Sequence, residues 1–207
     1  PGTIRTGDVL LPYDRRVTSS GKATPEGIRP IDWTYLRVPS KMARQGVREL
    51  EIVSGYRQPF RSKRSRRQQQ YAIRTRPSSD QTTIRLRSRA KDRKPLAGYE
   101  IHEKGEQVTE FLGYTDWRGE FSMKRSDDPI RILLVRSGDR VLAKLPIVPG
   151  LRDEVNALLR DDRLRVEADG FLSGVQLGII DLVARRESLT TRIRNRIAEK
   201  DFDAAEE

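Results

Sequence analysis

Apolar and polar residues alternate with a period of two through much of residues 1–150, then recur in steps of three and four. That change predicts a mainly β chain with a C-terminal α-helical segment. Residues 8–12 read as a short strand that Pro12 stops, and residues 17–28, rich in Ser, Thr, Gly and Pro, as a loop. Residues 32–38 alternate Trp33, Tyr35 and Arg37 against Thr34, Leu36 and Val38, and residues 47–53 put Leu50 and Ile52 on one face. Residues 54–70 carry turn formers and dense positive charge, so they are expected to form a long exposed hairpin loop. Strands follow at 71–76 and 82–88, giving a small barrel or sandwich over residues 1–90 with arginines on its solvent side.

A polar stretch at 90–94 suggests a boundary, with a second β unit over 91–150. Asp116 and Gly119 have the spacing of a type I turn, in which Asp accepts backbone hydrogen bonds and Gly takes a positive φ. They are expected to close a hairpin at 115–121. Strands at 130–135 and 141–147 meet through Ser137, Gly138 and Asp139. Residues 151–207 are expected to form a helical tail. Leu164, Ala168, Leu172, Val175, Ile179, Leu182, Leu189, Ile193 and Ile197 lie three or four apart, except across Arg186. That is the apolar stripe of a long amphipathic helix, and its Val175, Ile179, Leu182, Leu189, Ile193 and Ile197 offer a surface for self-association. Gly170, Gly174 and Gly178 weaken the N-terminal half, so a start near Gly170 is an alternative. Residues 202–207 read as a second helix truncated by the chain end.

The unit over 94–150 resembles the carboxypeptidase-regulatory-like, transthyretin-like β-sandwich family. The resemblance rests on Pro95, Leu96, Ala97 and Gly98, on Thr115 and Asp116 with Gly119 and Phe121, and on the apolar strand before Gly138, across 57 of 207 residues. It implies a non-catalytic β-sandwich attached to larger enzymes, transporters or surface proteins. The chain as a whole resembles uncharacterised multi-module envelope proteins of planctomycete-type bacteria, which implies the periplasm or cell envelope.

Charge sharpens this picture. The net charge is +11, and residues 41–90 alone hold 14 Lys and Arg against 3 Asp and Glu. Arg57, Arg61, Lys63, Arg64, Arg66 and Arg67 cluster with Tyr56 and Phe60, and Arg74, Arg76, Arg85 and Arg87 extend the patch along strands. Arginine-rich surfaces bind polyanions through bidentate contacts and counterion release. The expected partner is an anionic polymer or an acidic protein surface, with nucleic acid as the alternative. A solvated loop without a ligand is the competing reading of the same residues.

Candidate chemistry is sparse. With no cysteine, disulfides, thiolate catalysis and cysteine-bound metals are excluded. His102 is the single histidine and reads as a surface residue among acidic neighbours. Asp127, Asp128, Asp161 and Asp162 sit where turns and helix starts favour Asp. Trp33 and Trp117 read as core or turn-packing residues. No catalytic residue, metal site or cofactor is expected, and no apolar run is long enough to span a bilayer. The chain opens on Pro1 without a signal-peptide pattern, as expected of a processed chain or an excerpt.

Overall fold

The computed structural model describes residues 4–20, 22–39, 49–60 and 68–199. Among them the elements run β1 (Val9–Val17), β2 (Ala23–Pro30), β3 (Thr34–Arg37), β4 (Glu51–Ser54), β5 (Gln68–Arg74), β6 (Gln81–Ser88), β7 (Glu100–Lys104), β8 (Thr109–Tyr114), β9 (Glu120–Lys124), β10 (Arg131–Ser137), β11 (Arg140–Ile147), β12 (Glu154–Leu159) and α1 (Arg163–Ala198). The mainly β architecture with one C-terminal helix is as the residue pattern predicts. The chain divides into two compact units, Pro1–Asp161 and Asp162–Glu207.

β6 alternates strictly, burying Thr82, Ile84, Leu86 and Ser88 while Thr83, Arg85 and Arg87 point the other way. β9 pairs with it antiparallel, and β12 pairs with it parallel on the far side. A second, antiparallel sheet has the order β11-β10-β7-β8. One core joins the two layers: Ile84, Leu86, Met123, Ala157 and Leu159 meet Ile101, Leu133, Val135, Leu145 and Ile147. Each such aliphatic side chain contributes about 1.5–3 kcal/mol of burial.

β1 is the hub of the third sheet, between β2 and β3 on one side and β5 on the other. Its run Val9, Leu10, Leu11, Pro12 is buried throughout, because both faces are covered. Val9 packs with Val53, Ile130 and Val148, whereas Leu10 packs with Leu36 and Val38. Pro12 does not stop this strand, contrary to expectation. Its carbonyl accepts from Ile31 N–H at 2.9 Å, which puts its missing N–H on the side where β3 has ended and β2 has not begun.

Several expectations are corrected. The boundary at residue 90 is crossed by pairing, since β6 shares a sheet with β9 and β12. The sandwich therefore spans 81–159. Residues 154–159, expected in the helical tail, form β12, with Ala157 and Leu159 buried against β6's core. The strands that flank the expected hairpin loop at 54–70 pair elsewhere, β4 with β3 and β5 with β1, while residues 61–67 of that loop lie outside the described residues. At 115–121 the turn chemistry holds, with Asp116 Oδ1 accepting from the N–H groups of Arg118 and Glu120 at 2.9 and 2.7 Å. Yet that turn passes the chain from β8 in one layer to β9 in the other. The Ser137–Asp139 connection does close a hairpin, between β10 and β11. The truncated helix expected at 202–207 lies outside the described residues.

Gly119 carries φ +71°, and a Cβ there would lie 2.5 Å from the Leu86 carbonyl oxygen and 2.8 Å from the Leu96 nitrogen. Gly138 has φ +61° but open space around it. Gly138→Ala is expected to cost about 1–2 kcal/mol, the left-handed backbone penalty alone. Gly119→Ala adds a clash with core backbone and should cost about 3 kcal/mol or more. Urea unfolding of both variants checks the difference.

Candidate functional site

The expected basic surface divides on inspection. Arg61, Lys63, Arg64, Arg66 and Arg67 lie outside the described residues. Arg57 is exposed in the bend after β4, and Arg76 is exposed after β5. Arg74 ends β5 and donates to Asp8 at 3.3 Å. The Arg5 N–H holds the Asp8 carboxyl below its ordinary range, and Arg74 adds to this.

Arg85 and Arg87 belong to a different sheet from Arg74. Arg85 is clamped by two carboxylates, Nε to Glu120 at 2.8 Å and Nη1 to Glu154 at 2.6 Å. Its charge is engaged with the neighbouring strands β9 and β12. The outer side of β6 is thus a mixed-charge face, and arginines at alternate positions do not make it a basic one.

Register brings other cations into play that the linear charge count passed over. β5 runs antiparallel to β1 with Arg15 opposite Gln69 and Arg16 opposite Gln68. Gln68 follows Arg67 directly in the chain, so the pairing sets Arg15 and Arg16 beside the strand that continues from the basic run. Arg29 of β2 stands opposite Asp14, one position along. Arg16 and Arg29 are exposed, and the Arg15 guanidinium lies over the Tyr71 ring at 5.9 Å. Tyr71 in turn donates to Gln69 at 2.7 Å. The sequence signal for Arg15 and Arg16 was present as a charged pair in β1. Only the strand register connects it to residues more than 50 positions later.

Trp33 separates two clefts of about 220 and 170 Å³. Its backbone is left-handed, φ +54°, and its carbonyl accepts from Gly55 N–H at 2.9 Å. That geometry costs roughly 1–2 kcal/mol, offset by packing of the indole on the sandwich core. Asp32, Arg152, Glu154 and Asn156 line the larger cleft beside Tyr35. Two carboxylates against one guanidinium make it a poor anion site. Burial pushes the Tyr35 phenol up, opposed by the Arg152 charge, so the hydroxyl stays protonated at neutral pH. Trp117, expected to pack, is 74% exposed and carries the Arg118 guanidinium 4.5 Å above its ring.

The remaining polar candidates serve the fold. His102 Nε2 meets Glu100 at 2.8 Å and its ring packs edge-on against Phe111. Glu103 is held by Arg131 across the β7–β10 pair, Nε to Oε1 at 2.6 Å. Asp128 accepts from Arg37 at 2.7 Å and from Ile130 N–H. Asp161 accepts from the Tyr99 hydroxyl, and Asp162 binds Arg165. Among the described residues no group of three His, Asp or Glu converges as metal ligands do.

No protein-family model, curated protein or solved structure matches this chain.

The structure separates two kinds of arginine, and variants should too. Arg85→Ala leaves Glu120 and Glu154 facing one another and is expected to lower unfolding stability by about 1–2 kcal/mol. Its heparin affinity should stay unchanged. Arg16→Ala should keep stability within about 0.5 kcal/mol and elute from heparin at lower salt.

Proposed function

We propose that this chain is a non-catalytic structural or interaction protein of a bacterial envelope, which docks an anionic polymer or an acidic protein surface on its five-stranded sheet. The observation that carries the reading is the β1–β5 register, with Arg15 and Arg16 alongside the strand that continues from the 57–67 basic run. Arg15, Arg16 and Arg29 are carried on paired strands, and multivalent phosphate, sulfate or carboxylate binding gains from each contact. A carboxypeptidase-regulatory-like module over 94–150 is part of the same proposal and rests on the residues that carry the resemblance. No described helix is long and apolar enough to cross a membrane. Its exposed helix α1 would supply a second contact, through Val175, Ile179, Leu182, Leu189, Ile193 and Ile197, to another copy of the chain.

Titration with heparin, a teichoic-acid-type polyphosphate, single-stranded RNA and duplex DNA across a salt series tests the docking reading. Binding to the first two should persist at about 0.15 M salt and weaken linearly in log–log form. Replacing Arg15 and Arg16 together by Ala should flatten that slope by about one to two units. A tenfold preference for RNA or DNA would favour the nucleic-acid alternative instead. Loss of all binding at 0.15 M salt would return the stretch to a solvated loop.

A further inference from the structure

α1 runs unbroken for 36 residues, about 54 Å, and none of its residues is buried. The glycines at 170, 174 and 178 do not delay its start. Nor is its apolar surface the single stripe expected. Between 170 and 184 the only ionisable side chain is Asp181, and Phe171, Leu177 and Ile180, all off the stripe, are 73%, 68% and 63% exposed. Beyond that segment the helix turns strongly basic, with Arg185, Arg186, Arg192, Arg194 and Arg196 against Glu187. A lone helix with three glycines and an apolar mantle on this scale is unstable in water without a cover.

The character of the cover follows from the segment itself. Leu172, Val175, Ile179 and Leu182 step by three, four and three, and the same seam continues through Arg186 to Leu189 and Ile193. That is a heptad seam with one charged core position. Gly178 borders it, and a Cβ there would meet nothing within 4 Å, which leaves room for a partner's side chains. The segment's ends carry opposite charge: Glu167 and Asp169 precede it, Arg185 and Arg186 follow it. They stand almost equally far on either side of Leu177.

We infer that α1 pairs with α1 of a second copy of this chain, antiparallel, about a two-fold axis near Leu177. This rests on the self-association reading above and adds its direction and register. In that arrangement Leu172 lies level with Leu182 of the second copy, and Val175 with Ile179. Arg186 faces the small Ala168 of the other helix, whose Glu167 and Asp169 lie within reach of the guanidinium. A parallel pair instead stacks Arg186 on Arg186 and carboxylate on carboxylate, which is repulsive. The Arg165–Asp169 and Arg185–Asp181 pairs within one helix compete for these charges, so the apolar seam supplies affinity and the charged ends supply direction.

The chain has no cysteine of its own, so introduced thiols report cleanly. Leu172→Cys chain mixed with Leu182→Cys chain under mild oxidation should give the mixed disulfide, identified by mass. Neither chain alone should cross-link, because two thiols introduced at the same position would sit about 15 Å apart along the helices, beyond the roughly 7 Å Cα reach of a disulfide. Reversing Arg185 and Arg186 to Glu should weaken dimerisation about tenfold, and adding Glu167→Lys and Asp169→Lys in the same chain should restore it. Homodisulfides of each chain would overturn the antiparallel register while leaving self-association standing. Sedimentation of the unsubstituted chain as a monomer at about 100 μM, a concentration that detects dissociation constants in the micromolar range, would overturn both. Monomers that bind vesicles of phosphatidylglycerol would assign the same face to lipid and overturn the proposal equally.

Discussion

The β unit depends on β6 having its two sides and its two faces satisfied at once. Ile84 and Leu86 are fully buried between the layers, a commitment worth several kcal/mol that fixes which residues point inward. A slip of one position would put Arg85 in the core, so the register is set by exclusion of charge as much as by gain of apolar contact. The outward clamp of Arg85 on Glu120 and Glu154 then ties β9 and β12 to the same strand. Because these groups are part-exposed, each pair contributes about 1 kcal/mol or less. Their role is alignment more than stability.

From that sandwich the five-stranded sheet inherits an anchored end and a projecting end. Val9 packs against Ile130 and Val148, so the first half of β1 is fixed to residues beside the sandwich strands. The second half carries Tyr13, Arg15 and Arg16 alongside β5, whose side chains are largely exposed. Under the docking reading proposed above, a rigid root and an open tip would hold cations in fixed relation against a flexible polymer. Preorganisation of this sort lowers the ordering cost of binding.

What the amino-acid pattern made legible was local. The alternation in β6, the Asp116 turn with Gly119 and the Ser137–Asp139 hairpin are all encoded by neighbours in sequence. β12 was missed because Arg152 and Asp153 precede it, Glu154 opens it and Asn156 interrupts it, leaving only Val155, Ala157 and Leu159 as a period-two trace. The Asp116 turn chemistry is the same whether the following strand folds back or crosses to the opposite layer, so the hairpin expectation failed for lack of any local signal. Charge was legible as a total for residues 41–90, yet Arg85 meets its carboxylates 35 and 69 residues away. The helix was legible as helix. The apolar residues off its stripe were present in the sequence too, but a search for one face passes over a segment that is apolar on all of them.

The parallel pairing of β6 with β12 has a consequence for how the chain acquires its shape. Two strands about 70 residues apart in sequence must meet before the three-stranded layer closes, and the chain between them contains all four strands of the opposing layer. During synthesis the sandwich stays open along β6 until residue 159 has left the ribosome, by which time the antiparallel β10–β11 hairpin can already have formed. Non-local closure of this kind is slow and leaves β6 as an unpaired edge in the interim. The α1 segment emerges immediately after the closing strand, so its apolar surface becomes available for association only once the layer containing β12 is able to complete.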